Sequence, residues 1–260
     1  GYYKMQDMST TICNNVYTSQ LTDNSDTMEA QLIDVRDNNV YWVAKLKDNR
    51  CWLLENLKLN PTTTSLDDLQ GNTNTPDTAL YYFKNGGGSS PYATDAVTST
   101  WNNYISGVDW TTPRINSEYK DAVSNNSYDQ SGQWKIGIYY NYCAASAGSY
   151  CYPSDAGTGN ADYDICSVNW HIPKVGGEYQ ALVNRYSNYA DFRTIFRVPL
   201  SGNFESGQAY DQGQLGQFWT STYYNTSSMH RLRIDSYSDI NPTYAFSRSA
   251  GFAVRCIANN

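Results

Sequence analysis

Charge is scarce in this 260-residue chain: Lys, Arg, Asp and Glu together make up 17% of it, below the roughly 25% of an average soluble protein. Histidine is scarcer still, with only His171 and His230, and no Cys-x-x-Cys pair occurs. The usual ligand spacings of a zinc site are therefore missing. No Lys/Arg cluster offsets the net charge of −7, which argues against a nucleic-acid partner. No apolar run approaches the roughly 18 residues of a membrane span. The residues from Gly1 carry no signal-peptide pattern, which leaves localisation open.

Aromatic side chains are plentiful instead, at 15% of the chain, with 24 tyrosines. Asn, Ser, Thr, Gly and Tyr supply the surface that Lys and Glu usually supply. Two readings fit this composition, which does not separate them. Tyr gives a large rigid contact area with one polar tip, the property binding loops exploit alongside Ser, Gly and Asn. Equally, β-rich folds favour Tyr and Thr in their strands.

The six cysteines are Cys13, Cys51, Cys143, Cys151, Cys166 and Cys256. An even count in such a chain reads as three disulfides formed in an oxidising compartment. Spacing alone leaves fifteen connectivities open. Proximity suggests Cys143–Cys151, closing a short loop around Ala144–Tyr150. Cys13–Cys51 would tie an N-terminal extension, residues 1–30, to the first strand pair. Cys166–Cys256 would then close nearly the whole C-terminal half. On a chain-entropy basis that long loop contributes about 4–5 kcal/mol and the short one about 2–3 kcal/mol.

Along the chain, Gln31–Arg36 and Val40–Leu46 flank an Asp37-Asn38-Asn39 turn and predict a β-hairpin. Cys51–Leu57 resumes the apolar pattern. Residues 60–135 form a long polar insertion with Pro61, Pro76, Gly86-Gly87-Gly88 and Pro91. Helical stretches are expected within it at Ser65–Gln70 and Ser117–Ser124, the second capped by Asn116. Ile136–Tyr142 predicts a buried strand. An amphipathic helix is expected from Glu178 to about Tyr189, with Tyr179, Leu182, Val183 and Tyr186 on one face. Gly216–Thr222, Met229–Asp235 and Gly251–Ile257 read as strands. Helices in the middle and strands at both ends suggest one α+β domain over 31–260 whose terminal strands pair.

Four stretches in this order resemble a known family: Arg36–Leu57; Ile165–Pro173, with its Cys166-Ser167-Val168-Asn169-Trp170-His171 core; Gly177–Leu182; and Gly216–Thr222 with Gly251–Cys256. The chain is similar to the Fibrobacter succinogenes major paralogous domain, a group of bacterial surface proteins with a C-type-lectin-like fold. The resemblance spans about residues 31–257. It implies that Cys166 pairs with Cys256 and that Trp219 belongs to the buried base. The Glu-Pro-Asn and Trp-Asn-Asp signatures of calcium-dependent sugar binding are absent, so that activity does not carry over.

Between the anchors Trp219 and Phe252 lies an adaptable palette: Tyr223, Tyr224, Asn225, Ser227, Ser228, His230, Arg231, Arg233, Asp235, Tyr237, Asp239, Tyr244, Phe246 and Arg248. It also resembles the variable region of retroelement-diversified proteins built on the same scaffold. These residues are the candidate ligand-binding set, in C-terminal loops, for a protein or glycan on another cell or surface. Ordinary strand-and-loop surface is the competing reading.

Catalytic readings are weaker. His171, between Trp170 and Pro173, reads as a packed or turn residue. His230 has no evident nucleophile or orienting partner. Asp162 and Asp164 flank Tyr163 and could ligate calcium, although such loops are more often polar turns. Gly86-Gly87-Gly88 lacks the Gly-Lys-Ser/Thr end of a phosphate loop. Formylglycine-generating enzymes share a related fold but need free thiols. The expectation is a secreted or cell-surface, monomeric, non-enzymatic binding module without a cofactor. The alternative is a structural component of the cell envelope.

Overall fold

A computed structural model of the chain describes residues 3–16, 30–60, 64–80, 97–98, 137–151, 157–186, 188–205, 208–211, 214–235 and 239–259. The expected helix at Ser117–Ser124, the glycine triplet at 86–88, Ile136 and Tyr237 lie outside these residues. The architecture is mixed α+β, with more strand than helix.

The expected hairpin forms. Strands β2 (Ala30–Ile33) and β3 (Val40–Lys45) pair antiparallel, with Leu32 opposite Tyr41. Asn38 at the turn takes a left-handed conformation (φ 62°), which Asn tolerates better than most residues. The Asp37 carboxylate accepts the Asn39 amide at 2.9 Å. β3 then pairs with β4 (Cys51–Leu53). Residues 1–30 are more than a tether: β1 (Tyr3–Lys4) runs parallel to β2 and forms the sheet edge, and α1 (Thr10–Asn15) presents Cys13 to Cys51.

β4 also pairs with the last strand, β13 (Ile257–Ala258), which in turn pairs with β7 (Trp170–His171). The two ends of the chain therefore meet in one six-stranded sheet, β1-β2-β3-β4-β13-β7. Its central residues alternate between two apolar clusters. Tyr41, Val43, Cys51 and Leu53 enter one, while Ala44, Leu46, Trp52 and Leu54 enter the other. Successive strand residues point to opposite faces, so an unbroken apolar run means burial on both sides.

The segment Gly251–Val254 does the same without being a long strand. Phe252 and Val254 join the first cluster and Ala253 the second. Its backbone stitches four separate segments. Phe252 exchanges amide–carbonyl bonds with Tyr140 at 3.0 Å, Gly251 pairs with Phe204, the Ala253 carbonyl accepts the Trp219 amide, and the Val254 carbonyl accepts the Leu57 amide. All three disulfides take the expected pairing, Cys13–Cys51, Cys143–Cys151 and Cys166–Cys256, and no cysteine is free. Trp219 is fully buried, its indole N–H donating to the Tyr140 carbonyl at 2.7 Å.

Helices are shorter than the sequence suggests. α2 (Leu66–Leu69) forms where expected, with Ser65 capping through the Asp68 amide. Of the described residues 137–142, only β6 (Tyr139–Tyr140) is strand, paired with β5 (Val97–Thr98). Asn141 caps a helix instead, α3 (Tyr142–Ala145), by accepting the Ala144 amide at 2.9 Å. The helix expected over 178–189 is corrected as well. Gly177 (φ 82°) turns the chain into α4, which covers only Gln180–Val183. A second helix, α5 (Tyr189–Ile195), then starts at Asn188, whose side chain accepts the Asp191 amide at 2.8 Å. α5 supplies Phe192 and Ile195 to the second cluster, and Phe196 just beyond it meets Trp52 edge-on.

Beyond the hairpin β8 (Asn203–Glu205) and β9 (Gln208–Tyr210) come three long strands: β10 (Leu215–Tyr223), β11 (Ser228–Asp235) and β12 (Ile240–Ser247). They form one antiparallel sheet in that order. The candidate ligand-binding residues therefore lie mostly on strands rather than in loops.

Candidate functional site

The β10–β12 sheet sorts the candidates by where its pleat sends them. β10 is anchored on both sides, with Phe218 in one cluster and Trp219 in the other. Leu232 and Ile234 of β11 follow Phe218 inward, while Met229 follows Trp219. Register breaks beside Trp219–Tyr223 and Arg231–Arg233 mark bulges, which redirect side chains.

Several candidates serve the scaffold. Arg248 is fully buried: its guanidinium donates to the carbonyls of Asn225 (3.0 Å) and Tyr150 (3.4 Å) and lies over the rings of Tyr150 and Tyr223. Asn225 folds the β10–β11 turn, its side-chain oxygen accepting the amides of Ser227 and Ser228, each at 2.9 Å. Phe246 packs edge-on against Phe252, and Tyr223 is half-buried against Tyr150. Asp235 closes the β11–β12 turn by accepting the Asp239 amide. These five candidates each carry a contact of the scaffold, through burial, ring packing or a local hydrogen bond.

The remaining candidates stay at the surface. Tyr224 is 53% exposed and Tyr244 44%. Both line a concavity of about 410 Å³ with Ser228, Asn241, Thr243 and Ala245. His230 meets the Tyr224 ring edge-on at 5.0 Å, and its Nδ1 pairs with the Thr243 carbonyl. Arg233 crosses the rim, bonded to Asp239 at 3.1 Å and lying over the Tyr244 ring. Arg231 sits behind them, buried beneath Tyr244, Phe246 and Phe252. Burial, then the neighbouring charge of Arg233, lowers its pKa to about 10.

Sequence reasoning missed Asn241 and Thr243, because β12 went unread. Pro242 was its signal: proline inside a strand points to a sheet edge, which β12 occupies.

A second, polar cleft of about 510 Å³ is lined among others by Arg50, Asp164, His171, Lys174 and Glu178, with Ser221 of β10 at its side. The turn at Pro173–Gly177 folds Glu178 back onto His171. The His171 Nε2 pairs with Glu178 Oε1 at 2.8 Å, and Arg50 donates to the same oxygen at 2.9 Å. The other Glu178 oxygen accepts the Lys174 amide at 2.6 Å, and His171 Nδ1 pairs with Asn259. Burial opposes the charge on His171, but the hydrogen bond and charge of Glu178 outweigh it and raise the pKa. Burial likewise works against the Glu178 carboxylate, yet His171, the Lys174 amide and Arg50 hold its pKa below the ordinary value.

Asp164 is pushed up to about 6 by burial, against the opposing amide bonds from Ile172 and Cys166. With Asn74 also donating, its carboxylate is committed to holding its own loop together. Among the described residues no group of three or more His, Cys, Asp or Glu side chains could hold a metal ion. His171 is thus an ion-paired cleft residue, more polar in role than a packed turn residue. No family model matches the chain, and neither a curated protein nor a solved structure does so.

Proposed function

We propose that this is a secreted or cell-surface ligand-binding module of C-type-lectin-like fold, of adhesin or receptor type, whose binding surface is the face of β10–β12 around Tyr224 and Tyr244. One observation carries the reading. Among the described residues, five large apolar side chains are well exposed, Tyr3, Leu66, Tyr210, Tyr224 and Tyr244, and the last two border one concavity with Ser228, Asn241 and Thr243. Exposed aromatics clustered with small hydrogen-bonding groups are the chemistry of recognition surfaces.

Three disulfides support an oxidising compartment. Support for the fold comes from the joining of both chain ends in one sheet, the Cys166–Cys256 bridge and the buried Trp219. The scaffold residues fixed beneath the face fit a surface that can change while its base does not, as in retroelement-diversified proteins. The partner is a protein or a glycan on another surface.

The test is to screen the intact chain against arrays of surface glycans and surface proteins. A specific partner is expected, and Tyr224→Ser with Tyr244→Ser is expected to weaken its binding at least tenfold, at about 1–2 kcal/mol per aromatic anchor. Absence of any specific partner would favour a purely structural role in the cell envelope.

A further inference from the structure

Three of the buried arginines among the described residues have several acceptors each. Arg36 makes a two-pronged pair with Asp34, Arg248 donates to two carbonyls, and Arg255 donates to Asn56 and to the carbonyls of Leu53, Phe196 and Arg197. Arg231 differs from these three. It is 6% exposed, yet among the described residues no acceptor hydrogen-bonds its guanidinium, and its Nε is buried without a hydrogen-bond partner. A desolvated guanidinium with idle donors is costly unless something pairs with it.

The surroundings of Arg231 run from the buried Phe252 to the exposed Tyr244. Arg231 lies opposite Trp219 in β10 and opposite the exposed Tyr244 in β12. Its guanidinium carbon is 4.5 Å from the Phe246 ring centre, 4.8 Å from Phe252 and 5.8 Å from Tyr244. The rings hold the planar group in place and strip its water, while leaving its in-plane N–H donors unused. Arg233 at the rim is already engaged by Asp239 at 3.1 Å and faces Asp235 at 3.9 Å. Asp211 and Glu205 are near enough to favour the charged form of Arg231, but neither hydrogen-bonds to it.

We propose that Arg231 is a carboxylate-binding subsite of the β10–β12 face: a ligand carboxylate docks in the plane of its guanidinium beside Tyr244. A carboxylate matches the planar fork of arginine with two parallel hydrogen bonds. With Asp211 and Glu205 close by, a monoanion meets less repulsion than a phosphate dianion. The proposal rests on the functional reading above and gives it a ligand chemistry. An acidic sugar and an acidic amino-acid side chain both carry this group, and the test separates them.

The experiment follows the Arg231 Nε–H resonance of the whole isotope-labelled protein, assigned by its loss in Arg231→Lys. Glucuronate and N-acetylglutamate α-amide are titrated in, with the methyl ester of glucuronate and N-acetylglutaminamide as neutral counterparts. The expected result is a saturable shift with a carboxylate and none with its neutral counterpart; whichever acid saturates at lower concentration identifies the source. Arg231→Met is expected to weaken that binding at least about tenfold. Because the titration uses the native protein, it stands even if the variant fails to fold.

A resonance unmoved by all four probes, or moved equally by neutral ones, overturns the subsite. The two readings fail separately. A partner lost in Tyr224→Ser with Tyr244→Ser but bound normally by Arg231→Met overturns the subsite and keeps the surface. A carboxylate titration that persists while no array partner emerges keeps the subsite and overturns the wider reading.

Discussion

Tyrosine settles the question its abundance raises by taking both roles. Tyr41, Tyr139, Tyr140, Tyr142 and Tyr179 are fully buried. Tyr139, Tyr140 and Tyr142 donate their hydroxyls to the carbonyls of Ser201, Leu59 and Thr220, and the Tyr41 hydroxyl accepts the Lys58 amide. Burial raises the pKa of Tyr41, Tyr140 and Tyr142 well above the ordinary value. Tyr224 and Tyr244 stay outside. Composition could not separate the two populations, because what decides is where the fold places each ring; Tyr179 is fully buried although its hydroxyl has no hydrogen-bond partner among the described residues. Tyr224→Ser is therefore expected to leave the thermal midpoint almost unchanged, within about 0.5 kcal/mol of wild type. Arg255→Met is expected to behave in the opposite way. It strips the donors from Asn56 and three buried carbonyls at once, and chemical denaturation should register a loss of about 3–5 kcal/mol.

At the level of elements, the first hairpin, β10, β11 and α2 were legible, whereas β12 and the later helices were not. The Asp-Asn-Asn turn and the alternation on either side of it lead directly to β2 and β3, and Gly216–Thr222 falls within β10. The helices depend on caps inside stretches whose apolar pattern suits several structures. Asn141 turns an apparent strand into α3, and Asn188 begins α5 within a pattern that reads as the tail of an earlier helix. Gly251–Val254 is read as a strand, yet its bonds go to four partners in turn, which no local pattern encodes. Close packing here has a checkable consequence at Gly216 of β10. A Cβ there would approach Val198 Cγ1 to 2.6 Å and the Pro199 carbonyl to 3.2 Å. Gly216→Ala is accordingly expected to cost about 1–3 kcal/mol, read from urea midpoints, while leaving the cysteine pairing intact.

Over the whole molecule, the Cys166–Cys256 bridge fastens the last strand segment to the loop before β7, across a sequence separation of 90. Replacing both by serine is expected to cost about 2–5 kcal/mol. Protonation acts on the molecule as a unit too. Burial, with Asp34 adding to it, raises Asp37 to about 6, and burial raises Asp164 to about 6. Between roughly pH 4, where unfolded carboxylates titrate, and pH 6 the folded form holds protons that the unfolded chain has released. Stability therefore falls as pH rises through this window. His171, raised in the folded state, extends the fall above about pH 6.5, its unfolded value. Glu178, held low, stabilises only above its unfolded value and loses that contribution as pH falls below it. A thermal melt series should thus peak at about pH 4 and decline toward pH 8, with His171→Gln flattening the upper part. The cleft was invisible in sequence because Glu178 and His171 are joined by a turn rather than by a shared periodicity.

The central claim is that recognition belongs to the β10–β12 face and not to this cleft. The most direct measurement compares partner binding on the arrays for two variants of equal thermal stability, Tyr224→Ser with Tyr244→Ser on the face and Lys174→Ala at the cleft. Loss of binding in the face variant with full retention in the cleft variant is the predicted result. Full binding by the face variant and loss in the cleft variant would contradict the account and move the functional site to His171 and Glu178.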